Sequence, residues 1–163
     1  NITLFYLGTS HVHKGEWEKA ITTFEKEPTL QDKHYPTLSN KGKALYHLGM
    51  FDEALVTYEK AVKIKDKHYL THSNKGLTLA QLGKFDEALA AYEKALTLNP
   101  KHPTTLYNTA CAYSLQGDNS NALNFLEKVI ALNPDYRNLA KTDTDLDNIR
   151  QDPRFQELLN PDI

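Results

Sequence analysis

GLTLAQLGKFDEALAAYEKALTLNP, residues 76–100, decides the fold, because its spacings recur along the chain. Thirty-four residues upstream, Gly42 and Gly49 stand where Gly76 and Gly83 do, and one equal step further upstream stand Gly8 and Gly15. Gly117 continues the second series, so all seven glycines fall on two phases of one period. Other positions keep the same step: Ala20, Ala54, Ala88 and Ala122; Trp17, Phe51 and Phe85; Phe24, Tyr58, Tyr92 and Leu126; Ala61 and Ala95; Pro100 and Pro134. A fixed period of this length is the signature of stacked supersecondary units.

Each unit reads as two helices with a short turn. Pro36 suits the first turn of a helix, Leu38, Gly42 and Leu45 form its apolar stripe, and Gly49 stops it. The second helix opens at Asp52 and carries Ala54, Tyr58 and Ala61 on one face. A glycine inside a helix costs ~1 kcal/mol relative to alanine, so Gly42 and Gly76 predict close contact with the partner helix.

Gly76, Gly83, Phe85, Ala88, Tyr92, Ala95 and Pro100 together resemble the tetratricopeptide-repeat (TPR) consensus, in four units of about 1–34, 35–68, 69–102 and 103–134. The stretch from Tyr113 through Leu159 resembles the ending of many bacterial TPR proteins. The resemblance implies an all-α, right-handed superhelix of helical hairpins, with residues 135–163 as capping helices. In the first unit Glu27 replaces the small residue of later units and Pro28 follows, so that helix is expected to kink or stop a turn early. In the fourth, Asn119 replaces the aromatic of the earlier units, as a unit facing a cap permits. Beyond Pro134, a helix over about 135–141, a short one to Ile149 capped by Asp143 or Thr144, and a last one from Asp152-Pro153 bearing Phe155, Leu158 and Leu159 are expected to cover the end of the array.

At 100° per residue, Gly42 and Leu45 lie within about 40° of Leu38, whereas Pro36, Asn40, Lys43 and His47 cluster at about 140–200°. The TPR resemblance implies that this second face lines the concave groove. Its counterparts are Leu70, Asn74, Leu77 and Gln81, then Thr104, Asn108, Cys111 and Leu115. Asn40, Asn74 and Asn108 recur with the same period as the glycines, and a carboxamide can pair with both C=O and N–H of an extended peptide. Leu70, Leu77, Tyr107 and Leu115 are the candidates for side-chain pockets. Repeat copying explains part of this pattern equally well, since the segments 35–68 and 69–102 are identical at more than half of their positions, and locally bonded or solvated asparagines would look the same.

Composition narrows the rest. The chain has 163 residues, 25% of them charged, and a net charge of -2, so no positive field draws nucleic acid or anionic lipid. No apolar run reaches the ~20 residues needed to span a bilayer. One cysteine, Cys111, excludes an internal disulfide and fits a reducing compartment such as the cytoplasm, although a secreted protein without disulfides looks alike. His11 and His13 point about 200° apart on a helix, against a shared metal ion. His34, His68 and His102 keep the repeat period and fall at turns, where repeat copying explains them. The Asp143, Asp145, Asp147 series lacks the glycine and final carboxylate of a calcium loop. Nothing marks a nucleophile or a phosphate cradle, so neither catalysis nor a cofactor is expected. The basic clamp that chaperone-binding TPR domains use is missing too: the corresponding places hold Phe5, Thr9, Asn40, Leu70 and Asn74, or Ser39, Lys43, Asn74, Thr104 and Asn108, which argues against a heat-shock chaperone tail.

The expected role is therefore a protein-interaction scaffold holding an extended peptide or a helix of a partner. Two rivals stand beside it. One is a regulatory or anchoring module of a larger enzyme or sensor, since Asn1 rather than Met suggests protein upstream. The other is a self-assembling unit that stacks through the uncapped first repeat, where Ile2, Leu4 and Phe5 would be partly exposed.

Overall fold

The computed structural model describes residues 2–162, apart from the side chains of residues 30 and 31, and among them there is no strand. Its contacts divide the chain into two compact units, Asn1–Lys84 and Phe85–Ile163.

The first unit contains α1 (Ile2–His13), α2 (Trp17–Glu25), α3 (Pro28–Lys33), α4 (Tyr35–His47), α5 (Phe51–Ile64) and α6 (Tyr69–Gln81). α1, α4 and α6 touch in succession, with α2 packed on α1 and α4, and α5 on α4 and α6. The periodic aromatics fill the gaps left by the helical glycines. A Cβ added at Gly42 would lie 2.7 Å from Cε1 of Tyr58, and one at Gly8 would run into the Phe24 ring. Both rings are wholly buried, Phe24 in a cluster with Val12, Ala20 and Ala44 and Tyr58 in one with Leu45 and Ala54. Burying one such ring contributes roughly 1.5–3 kcal/mol, which outweighs the propensity lost at the glycine. The other glycine series, Gly15, Gly49, Gly83 and Gly117, has φ between 72° and 88° and ends each first helix in the left-handed conformation.

Two local features go beyond the sequence reading. α2 stops at Glu25, short of the 14-residue α5, in line with the expected break at Glu27-Pro28. Pro28, however, also starts the extra helix α3, occupying the first position where a missing N–H costs nothing. The three periodic histidines prove to be helix-starting residues. His34, His68 and His102 each adopt extended backbone before a helix, and each ring Nδ1 bonds the threonine three residues on, Thr37, Thr71 or Thr105, at 2.7–2.8 Å. Those threonines are fully buried and need a partner for the hydroxyl.

The second unit holds α7 (Phe85–Leu98), α8 (Pro103–Gln116), α9 (Asn119–Leu132), α10 (Tyr136–Thr142), a 3-10 turn (Thr144–Ile149) and α11 (Pro153–Leu159). The turn packs on α8 and α9, and α11 on α9 and α10, burying Leu146, Ile149 and Phe155 completely. Asp143 caps the 3-10 turn through the Asp145 N–H, and Asp152 caps α11 through the Arg154 N–H. Three arginines fasten the tail. Arg150 donates to the carbonyl oxygens of Ala140, Lys141 and Asp143 and to the Asp147 carboxylate, Arg137 donates to the Leu158 carbonyl, and Arg154 reaches Asn124 and Glu127 on α9.

Candidate functional site

On the first unit, α4 and α6 enclose a cavity of about 400 Å³. α4 contributes Tyr35, Pro36, Ser39, Asn40 and Lys43, which share a helix face at spacings of three and four. His68, Leu70 and Asn74 form the opposite wall. Leu70 is exposed, Lys43 is exposed, and both asparagines are half-buried. Hydrogen bonds tie the neighbouring helices along this face: Asn40 Nδ2 donates to Thr9 Oγ1 on α1 at 3.1 Å, and Ser39 Oγ meets Thr71 Oγ1 on α6 at 3.3 Å. The bond to Thr9 uses one of the two N–H donors of Asn40, so the carboxamide has local work as well as further pairing capacity. At the rim, Lys65 Nζ lies over the Tyr35 ring, 4.5 Å from its centre, and donates to the Tyr35 hydroxyl at 3.2 Å. Sequence reasoning passed over Tyr35, Ser39 and His68 as site residues. The signal for Tyr35 was its repetition as Tyr69, but repeat copying accounted for it equally well.

The remaining candidate residues lie elsewhere. His47, one turn beyond Lys43, is stacked flat on Trp17 with ring centres 4.2 Å apart and edge-on to Tyr46. Burial, with Lys43 adding to it, lowers its pKa, so the ring stays neutral near pH 7. Leu77 is half-buried on α6. In the second unit Asn108 is half-buried and Leu115 exposed.

Tyr107 departs from the expectation. It was read as a pocket residue, yet it is 4% exposed, its ring lies 5.2 Å from that of Tyr136, and its hydroxyl donates to Asp143 Oδ2 at 2.8 Å. The tail has already covered this face of α8. One turn on, Cys111 Sγ stands 3.9 Å from the same oxygen, and Asn148 donates to the Ser114 carbonyl. Burial, followed by Asp143 and Asp145, pushes the Cys111 thiol well above its ordinary pKa. It is thus held as S–H, the form that is not a nucleophile.

A larger cavity, about 800 Å³, opens on the second unit. Leu106, Thr109 and Tyr113 of α8 floor it, between Leu89, Glu93 and Leu96 of α7 and Phe125 and Lys128 of α9. Tyr113 and Phe125 stack at 5.6 Å, and Lys128 Nζ lies over the Phe125 ring. Its lining mixes apolar side chains with four charged ones, Asp86, Glu93, Lys101 and Lys128.

The repeat geometry and sequence comparison agree on the class of protein. Models of the tetratricopeptide repeat match residues 3–26, 35–68, 69–102 and 91–124. The chain belongs to the tetratricopeptide-repeat family, a family of protein-interaction modules. Comparison with curated protein sequences found no match. Among solved structures, the MamA protein aligns over 98% of this chain and 86% of its own, at 18% identity and a TM-score of 0.80. MamA 41-end from Desulfovibrio magneticus RS-1 aligns over 97% and 92%, at 18% identity and a TM-score of 0.78. YrrB, described as a TPR protein with an unusual peptide-binding site, aligns over 98% and 86%, at 16% identity and a TM-score of 0.77. At these identities the likeness is one of fold. No described helix is long and apolar enough to cross a membrane.

Proposed function

We propose that this chain is a non-catalytic scaffold that holds an extended segment of a partner protein against the α4 and α6 face of its first unit. The observation carrying this reading is the cavity that gathers Asn40, Lys43, Leu70 and Asn74 from two helices. Carboxamides on adjacent helices, on the order of 10 Å apart, match about three residues of extended chain. Each backbone hydrogen bond contributes ~1 kcal/mol, so Leu70 and the Tyr35 ring have to supply part of the affinity. The solved structure of YrrB, with its described peptide-binding site, lends support from the same fold.

Asn40→Ala combined with Asn74→Ala should weaken partner binding about tenfold, within the roughly thirtyfold that complete loss of two bonds of ~1 kcal/mol each would give. Circular dichroism should show helicity retained, with Tm lowered by only a few degrees for the lost bond to Thr9. Partner binding that survives the double substitution undiminished would remove the site from this face. The 800 Å³ cavity, a trough between α7 and α9 with Leu89, Leu96, Leu106 and Phe125 among its lining, supports a second reading as a seat for a partner helix. Loss of binding in Phe125→Ala, with the asparagine variant unaffected, would favour it.

A further inference from the structure

In the first unit each junction between repeats is tied in the same way. Lys41 on α4 reaches back to Glu25 on α2 at 2.8 Å, and Lys75 on α6 reaches back to Glu59 on α5 at 3.4 Å. The two lysines stand one repeat step apart, and so do the two glutamates. Both lysine side chains are mostly covered, 16% and 25% exposed, so each stem lies along the helix surface and its ammonium ends on a carboxylate.

The next step brings the pattern to Glu93 on α7 and Thr109 on α8. The acceptor is kept and the donor is gone. Thr109 is 3% exposed and turns its hydroxyl inward to the Thr105 carbonyl at 2.7 Å, so it does not replace the lost ammonium. Among the described residues no lysine or arginine lies within ion-pair distance of the Glu93 carboxylate. Of the other charges in the lining, Asp86 accepts from Gln116, Lys128 lies over the Phe125 ring, and Lys101 sits in the turn beyond α7. The cavity of about 800 Å³ opens at this junction, with Glu93 and Thr109 both in its lining. Two aromatics have entered beside it, Tyr113 where earlier repeats have Leu45 and Leu79, and Phe125 where they have Thr57 and Ala91. The fourth repeat has thus lost a strut and gained an apolar wall.

We infer that the trough between α7 and α9 takes an amphipathic helix of a partner protein that brings the missing cation, a lysine or arginine set on Glu93. Apolar residues one turn away on that helix would lie on Leu89, Leu96 and Phe125. α7 and α9 both pack on α8 and barely touch each other, a cleft that the side-chain ridge of a further helix fills. This rests on the reading of the trough as a helix seat and adds the charge of its occupant.

The test uses the full chain and two synthetic helical peptides with blocked ends. One is two copies of Ala-Gln-Leu-Ala-Gln-Lys-Leu, and the other puts glutamate in place of each lysine. Binding is followed by backbone amide shifts and repeated with Glu93→Gln, a change at an exposed side chain whose fold is checked by circular dichroism. The lysine peptide should shift amides around Glu93, Thr109 and Phe125. Its affinity should exceed that of the glutamate peptide about fivefold, and Glu93→Gln or molar salt should remove most of the difference. Thr109→Lys rebuilds the strut and should block the lysine peptide; if that variant does not fold, Glu93→Gln carries the test alone. Equal binding of both peptides at those amides, or tighter binding of the glutamate peptide, would overturn the cation inference and leave the helix seat standing. Shifts confined to other residues, or no shifts with either peptide, would overturn both.

Discussion

Gly42→Ala tests the packing on which the repeat depends, because two effects of opposite sign meet at one atom. In an isolated helix the substitution would stabilise by ~1 kcal/mol. Here the new methyl would lie 2.7 Å from Cε1 and 2.8 Å from Cζ of Tyr58, well inside van der Waals contact. The ring is 1% exposed and has no open side to move into. Overpacking a filled core costs about 1–3 kcal/mol, and an immobile aromatic places this site near ~3 kcal/mol. The net loss should be about 2 kcal/mol, or a fall in Tm of roughly 4–8 °C for a chain of this length. Urea melts followed by far-UV circular dichroism would measure it. Tyr58→Leu removes the obstructing ring atoms, so Gly42→Ala made in that background should be neutral or stabilising by up to ~1 kcal/mol. The coupling between the two sites should therefore be about 2–3 kcal/mol. A rise in Tm for Gly42→Ala alone would show that the glycine is not there for close approach.

Three further outcomes are expected. Burial lowers the pKa of His68, with Lys65 and His72 adding to it, and lowers that of His102. The unfolded chain therefore takes up these protons first, so stability is full above pH ~6.5 and falls as the pH drops through that value towards the folded-state pKa values. Melts from about pH 7.5 to 5 should show this slope, and a His68→Asn, His102→Asn variant should flatten it; an unchanged slope would assign the acid sensitivity to other groups. Arg150→Lys keeps the charge but cannot reach three carbonyl oxygens and the Asp147 carboxylate together, so it should cost about 2–3 kcal/mol. Hydrogen exchange should then speed up at residues 140–150 before it does within α8. Tyr107→Phe leaves Asp143 without its phenol donor and should cost about 1–2 kcal/mol, read from the same melts.

The repeat was legible because it is written in local steric terms. A glycine facing an aromatic on the next helix, as Gly42 faces Tyr58, recurs visibly in the sequence, and so do glycines forced to positive φ. Helix starts at Pro36 and Pro153 were readable for the same reason. α3 was missed because Pro28 carries two meanings, ending one helix and opening the next, and the chain alone does not choose between them. The histidine series looked like copying until the geometry showed a buried threonine awaiting each ring. Of the candidate groove residues, Tyr107 was misread because what covers it is Asp143, far along the chain and joined through a turn that no periodicity announces. His47 was read by helical phase alone, which gave its direction and not the Trp17 ring waiting there.

The fastening of the tail has a consequence for how the molecule can be watched. Arg137, Arg150 and Arg154 are the only arginines in the chain, and each is engaged with the tail's own backbone or with α9. Positive charge elsewhere is carried by lysine. A protease that cuts after arginine therefore has every one of its sites in the tail, and reaches them only when those contacts let go. Its cleavage rate is a built-in clock for tail opening, silent to the rest of the repeats, and any ligand of the α4 and α6 face that also slows the clock would reveal communication along the chain.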